Sequence, residues 1–178
     1  MREMIKRRKD EGFTLIELMI VIAVIGILAI VLVPKVGSIK TQAKSAGVDT
    51  NVRAVEGFVQ SRINFWANKN TPQYDADAAD VGIQEEIVSA FTSNKITNPI
   101  SNLTTIDAPT TVDEADAAPD GADTDALQVG GGTTAPAATD IPKGGVVVLS
   151  DGTGSALSII ITGYDANGNV TTTSTITP

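Results

Sequence analysis

Residues 12 to 18 read Gly-Phe-Thr-Leu-Ile-Glu-Leu, and Glu17 is the one ionisable side chain in an apolar run from Phe13 to Val33. A charged side chain at mid-bilayer costs roughly 2.5–3.5 kcal/mol on insertion scales, and less near the membrane face. Glu17 then has two readings. It snorkels to the cytoplasmic interface, or it waits for a cationic partner. A cut after Gly12 would free an amine at Phe13, four residues from Glu17. In a helical array, Phe13 of one copy could then sit beside Glu17 of the next. An ammonium–carboxylate contact in apolar surroundings specifies geometry more than it adds net stability, so it would set axial register. An uncut chain lacks the amine, and cutting would license assembly.

Other chemistry is sparse. The chain has no cysteine and no histidine. That removes disulfides, thiolate metal sites and every acid–base or triad mechanism built on imidazole. An enzyme would need Ser–Lys, paired carboxylates or a bound metal, and nothing in the sequence brings such groups together. No catalytic residue, metal or other cofactor is expected. Three acidic clusters invite a calcium reading: Asp75, Asp77 and Asp80; Asp120, Asp123 and Asp125; and Asp165, Asn167 and Asn169. None follows the twelve-residue EF-hand loop. Asn102-Leu103-Thr104 and Asn169-Val170-Thr171 match the glycosylation sequon.

The elements that position Glu17 begin with a short basic segment, Met1 to Gly12, carrying Arg2, Lys6, Arg7, Arg8 and Lys9. The 21-residue run from Phe13 to Val33 is about one bilayer core long as a helix. Basic residues ahead of it predict a cytoplasmic N-terminus. A cleaved secretory signal fits poorly, because the run is long and no small-residue cleavage site comes after it. A plain signal anchor explains the length but not Glu17.

Gly12-Phe13-Thr14-Leu15-Ile16-Glu17-Leu18, behind a basic leader and ahead of an unbroken apolar helix, resembles the class III signal peptide of type IV pilins and pseudopilins. The likeness covers about the first 66 residues. It departs at Asp10-Glu11, where basic residues are more usual. It implies cleavage between Gly12 and Phe13, N-methylation of Phe13, and pairing of Glu17 with that amine during assembly. Gly26 and Pro34 fall where pilins carry helix-weakening residues. The partners it implies are further copies of the same chain, a prepilin peptidase and methyltransferase, a pilus assembly platform with its ATPase, and the membrane before assembly. The implied fold is α+β, a long N-terminal helix packed on a small antiparallel sheet. The implied role is a filament subunit serving adhesion or surface motility, most simply a major pilin. A pseudopilin of a type II secretion system and an anchored extracytoplasmic binding module are the alternatives.

Pro34 removes a helical hydrogen bond and should kink or locally melt the helix. Beyond it, from Lys35 to about residue 68, an amphipathic continuation is predicted. Its stripe runs Val36, Ile39, Ala43, Ala46, Val48, Val52, Val55, Val59, Ile63 and Trp66. Gly47 and Gly57 interrupt it, each at a cost of about 1 kcal/mol.

Residues 69 to 178 form the predicted head. A short helix is expected over Ile83–Phe91. An acidic surface loop is expected over 107–140, with Gly130-Gly131-Gly132 as flexible or turn-rich backbone. Gly145–Leu149, Ala156–Thr162 and Val170–Thr177 read as an antiparallel meander, with Asn167-Gly168 in its second turn. Five of the 13 basic and three of the 21 acidic side chains lie in the first twelve residues, so the remainder carries 8 against 18. Such an exterior repels nucleic acid backbones, and no nucleic acid partner is expected.

Overall fold

The computed structural model describes residues 12–73, 82–108, 122, 124–137 and 139–178, without the side chains of residues 33–38. The chain divides into two compact units, with the boundary between Lys40 and Thr41. One helix, α1 (Leu15–Lys69), contributes to both. Its backbone stays helical through Gly26 and Pro34, so neither residue melts it locally. The first unit's apolar stretch, Leu15–Leu32, buries none of its surface within the chain.

In the second unit α1 behaves as an amphipathic helix. Val48, Val52, Val55, Val59, Ile63 and Trp66 are all buried. Their spacings of 3 and 4 place them on one face. The upstream part of the predicted stripe is not buried: Ile39, Ala43 and Ala46 are exposed, and Val36 lies outside the described side chains. The glycine at 47 has a packing reason, since a Cβ there would stand 3.0 Å from the Pro99 ring. Gly57 faces open space.

Helix α2 (Ile83–Asn94) is three residues longer than predicted. The Gly82 amide donates to the Glu85 carboxylate at 2.8 Å, closing its first turn. Ile83, Ile87 and Phe91 point into the core shared with α1. Glu86 fastens the two helices from the rim. It accepts from the Trp66 indole at 2.7 Å and pairs with the Arg62 guanidinium at 2.6 Å.

Among the described residues the sheet has five strands in the order β1 (Ile106–Asp107), β2 (Leu127–Gly131), β3 (Val146–Asp151), β4 (Ser158–Tyr164) and β5 (Val170–Ile176). The last three form the expected antiparallel meander. The first three pair in parallel, so the sheet is mixed rather than wholly antiparallel. The acidic-loop expectation over 107–140 is corrected here. Residues 109–121 lie outside the described set, but Leu127–Gly131 is a buried strand along its whole length.

One sheet face carries Leu127, Val129, Val146, Val148, Ile159 and Ile161, which join the helical stripe in the main core. The other carries Val147, Leu149 and Tyr164, which pack with Ile141 and Ile160 as a second cluster. The connection from β2 to β3 supplies Ile141, and its Asp140 carbonyl accepts from the Gln128 amide at 2.9 Å. Burial of strands on both faces is what parallel pairing ordinarily requires.

Asn98 ties three segments of this unit together. Its amide donates to the carbonyls of Thr124, Asp125 and Lys143, at 3.2, 2.8 and 3.0 Å. Its side-chain oxygen accepts from the amides of Ile100 and Ser101, at 2.7 and 3.2 Å. Gly144, at φ +85°, leaves room for this clasp, since a Cβ there would lie 2.6 Å from the Asn98 oxygen.

Candidate functional site

Gly12, Phe13 and Thr14 precede α1 as exposed, non-helical chain. A scissile bond needs such backbone, free of the helical ladder, to enter a peptidase. Phe13 is 92% exposed. The first turn of α1 then gives Glu17 a local partner. The Thr14 amide and hydroxyl both donate to the same Glu17 oxygen, at 2.8 and 2.7 Å. In return the Glu17 amide donates to the Thr14 hydroxyl oxygen at 3.3 Å. This is a capping box, with Thr14 at the N-cap and Glu17 at the third helical position.

The physical reason is the unsatisfied amides at every helix N-terminus. They favour an accepting side chain and an acidic residue in the first turn. The pattern Thr-x-x-Glu is the local signal of this cap, and it overlaps the charge that sets Glu17 apart in the apolar run. The two roles are compatible. The cap fixes where the carboxylate sits, and the apolar surroundings of a filament or membrane would raise the value of any cation that reaches it.

Gly26 lies on an open part of the helix, and a Cβ there would meet nothing within 4 Å. Pro34 is helical in backbone, and its side chain lies outside the described set. The sequence grouped Gly26 and Pro34 with Gly12, Phe13 and Glu17. The structure brings Glu17 together with Thr14 and leaves Gly26 apart, well along the helix.

The acidic clusters resolve differently. Asp75, Asp77, Asp80, Asp120 and Asp123 lie outside the described residues, and Asp125 is buried. The Asp165 carboxylate closes its own turn. It accepts from the amides of Asn167 and Asn169, at 2.7 and 2.9 Å, and from the Asn169 side chain at 3.1 Å. Among the described residues no three acidic side chains converge as a cation site would need. Both sequon asparagines, Asn102 and Asn169, are exposed.

Residues 7–33 match the family described as the prokaryotic N-terminal methylation motif. The N-terminus is therefore of the prepilin type, that of type IV pilins and pseudopilins. The prepilin motif encloses Gly12, Phe13, Glu17 and Gly26 and stops just before Pro34.

Two relatives match part of the chain. The type IV major pilin protein PilA of Myxococcus xanthus (strain DK1622) is 36% identical over 78 residues, 44% of this chain and 33% of the relative. The type II secretion system core protein G of Pseudomonas aeruginosa is 43% identical over 69 residues, 38% of this chain and 49% of the relative. The chain thus spans between a third and a half of the length of these relatives. No solved structure matches the chain.

Proposed function

We propose that this chain is a non-catalytic structural subunit of an extracellular type IV pilus filament. It is inserted in the cytoplasmic membrane as a single-pass precursor with its N-terminus inside. It is cut between Gly12 and Phe13, methylated on the new amine, and polymerised through the first part of α1. One observation carries this reading. Leu15–Leu32 is apolar on every side and wholly exposed, yet holds one carboxylate at its start, inside a prepilin motif. A membrane accounts for the apolar surface, and a neighbouring copy with a free amine accounts for the carboxylate as well. The filament would serve adhesion or surface motility.

A second reading is a pseudopilin of a type II secretion system, favoured by the identity to the core protein G. Shearing separates the two. A pilus subunit is recovered in quantity as extracellular filaments, whereas a pseudopilin stays with the envelope.

The primary test is the mass of the mature N-terminal peptide. It should begin at Phe13 and carry one added methyl group. A chain that keeps Met1, or that starts beyond Val33, would overturn the reading. Glu17→Ala is the companion test. The membrane pool should be unchanged while sheared filaments disappear. A mere tether would tolerate the change, because losing a charge from an apolar span eases insertion.

A further inference from the structure

We propose that the outer edge of β5 is a self-pairing surface that joins this chain to a second copy in a neighbouring filament. The inference rests on the filament reading above. Strand β5 spans seven residues, Val-Thr-Thr-Thr-Ser-Thr-Ile. It has β4 on one side and, among the described strands, none on the other. Open edges present unpaired N–H and C=O groups, and proteins usually blunt them with charge, proline, bulges or short length. The opposite edge, β1, has only two residues. β5 is longer, and its one bulge, where Thr171 is skipped in pairing with β4, lies at its start. No charged residue or proline lies within it, and from Thr172 to Ile176 its pairing is regular.

Charge selects the occupant. The chain carries −8, yet from Ala156 to Pro178 the one charged side chain is Asp165. Two copies of an acidic protein repel one another over most surfaces; this strand adds no charge of its own, and the Asp49 carboxylate that reaches it from α1 is engaged by the Thr172 hydroxyl at 3.0 Å. The strand also matches itself. Paired antiparallel about Thr173, it sets Thr171 opposite Thr175 and Thr172 opposite Ser174, and cross-strand threonine pairs are favourable. Thr171, Thr173 and Thr175 are exposed.

Symmetry then decides which copies meet. Two-fold pairing needs opposed strand directions, whereas copies along one polar filament all run the same way. The contact therefore joins heads of different filaments and bundles them. Its area is small. Seven residues extend about 23 Å, so the patch covers roughly 200–250 Å² per copy, far below the ~800 Å² per partner of a stable complex. Single chains stay unpaired, and repetition along two filaments supplies the avidity.

The test uses the absence of cysteine. Sheared filaments of full-length Thr173→Cys are oxidised and run on a non-reducing gel, beside Thr134→Cys, which sits in an exposed loop. Residue 173 should meet its own copy and give a covalent dimer at least tenfold above the Thr134→Cys control. In parallel, Thr173→Lys filaments should be obtained in wild-type amount but remain single in electron micrographs, while Thr134→Lys filaments bundle as wild type does. Cross-linking no greater than the control, bundles that survive Thr173→Lys, or wild-type filaments that never bundle would each overturn the edge inference alone. A wild-type chain that yields no filaments would overturn the filament reading and the edge inference with it.

Discussion

Two stretches of α1 differ in apolar content and have opposite surroundings: 16 of 18 residues are apolar in Leu15–Leu32, against 9 of 19 from Val48 to Trp66. In Leu15–Leu32 the large apolar side chains are exposed, Ile22 by 61% and Ile30 by 78%. From Val48 to Trp66 the valines, Ile63 and Trp66 form one stripe and are buried to within a few per cent, with Phe65 off the stripe at 47% exposed. What separates the stretches is both the amount and the arrangement of apolar residues. The first is apolar all round, so no single face can be covered by a domain the size of this head, and it needs an apolar solvent or neighbours on every side. The second is apolar on one face and finds its cover in α2 and the sheet. The helix is one element in hydrogen bonding and two in its dependence on surroundings. That division suits a subunit that assembles through one part of a helix and displays a folded head with the other.

The comparison can be broken with one substitution made twice. Ile63 is 3% exposed and Ile22 is 61% exposed. Ile63→Ala should cost about 2–5 kcal/mol, because it removes buried methylenes and leaves a cavity among Val59, Trp66 and their neighbours. Ile22→Ala should leave the stability of the head within about 0.5 kcal/mol. Urea titration of the full chain in detergent micelles, followed by the fluorescence of the single tryptophan, reports both. For Ile63→Ala the midpoint should fall by about 1–2 M. An equal fall for Ile22→Ala would show that the apolar stretch is part of the head's own core.

Much of this division was legible in the residues. Periods of 3 and 4 marked the buried stripe from Val48 to Trp66, and β-branched runs around Asp-Gly and Asn-Gly turns marked β3, β4 and β5. The stripe was read too far upstream, because periodicity shows which residues share a face but not where the cover ends. Strand β2 was missed for a different reason. Leu127-Gln128-Val129-Gly130-Gly131 holds only two large apolar residues, and its glycines resemble a turn. Its place is fixed by parallel pairing with β1 and β3, which local sequence does not announce. The Thr14–Glu17 box was fully local and could have been read.

Asn98 sharpens the comparison within the head, where no disulfide holds the connections together. Before Pro99 it reads as an ordinary turn residue, and its partners at Thr124, Asp125 and Lys143 lie 26, 27 and 45 residues away. Asn98→Ala deletes one side-chain amide whose two N–H groups serve three carbonyls, and leaves buried carbonyls and amides without that partner. Each such loss costs about 1–3 kcal/mol, with partial relief from water where the groups lie near the surface. The net destabilisation should be about 2–4 kcal/mol. It should appear as earlier loss of hydrogen-exchange protection in β2 and β3 than in α2, since the clasp joins the entries to those strands. Uniform loss across the head would mean that Asn98 supports the core as a whole.

The smallest effect belongs to the turn between β4 and β5. Partial burial pushes the Asp165 carboxyl up, but hydrogen bonds from Asn169 and Asn167 outweigh it and hold the group below the ordinary carboxylate range. A folded-state value below the unfolded one means that ionised Asp165 stabilises the folded chain. That contribution is complete above the unfolded value of about 3.9, and it is lost as pH falls through the lowered folded value. The turn is open to water, so the contribution is under about 1 kcal/mol. Asp165→Asn removes the titrating group while keeping an acceptor oxygen for the turn amides. The gap in urea midpoint between wild type and Asp165→Asn, measured at pH 7 and again near pH 3, should shrink at the lower pH. The apolar stretch of α1 takes no part in this, and the same measurement on Ile22→Ala should track wild type at both pH values. A gap that stays constant would assign the turn's stability to backbone geometry, with Gly168 at φ +81°, rather than to the carboxylate charge.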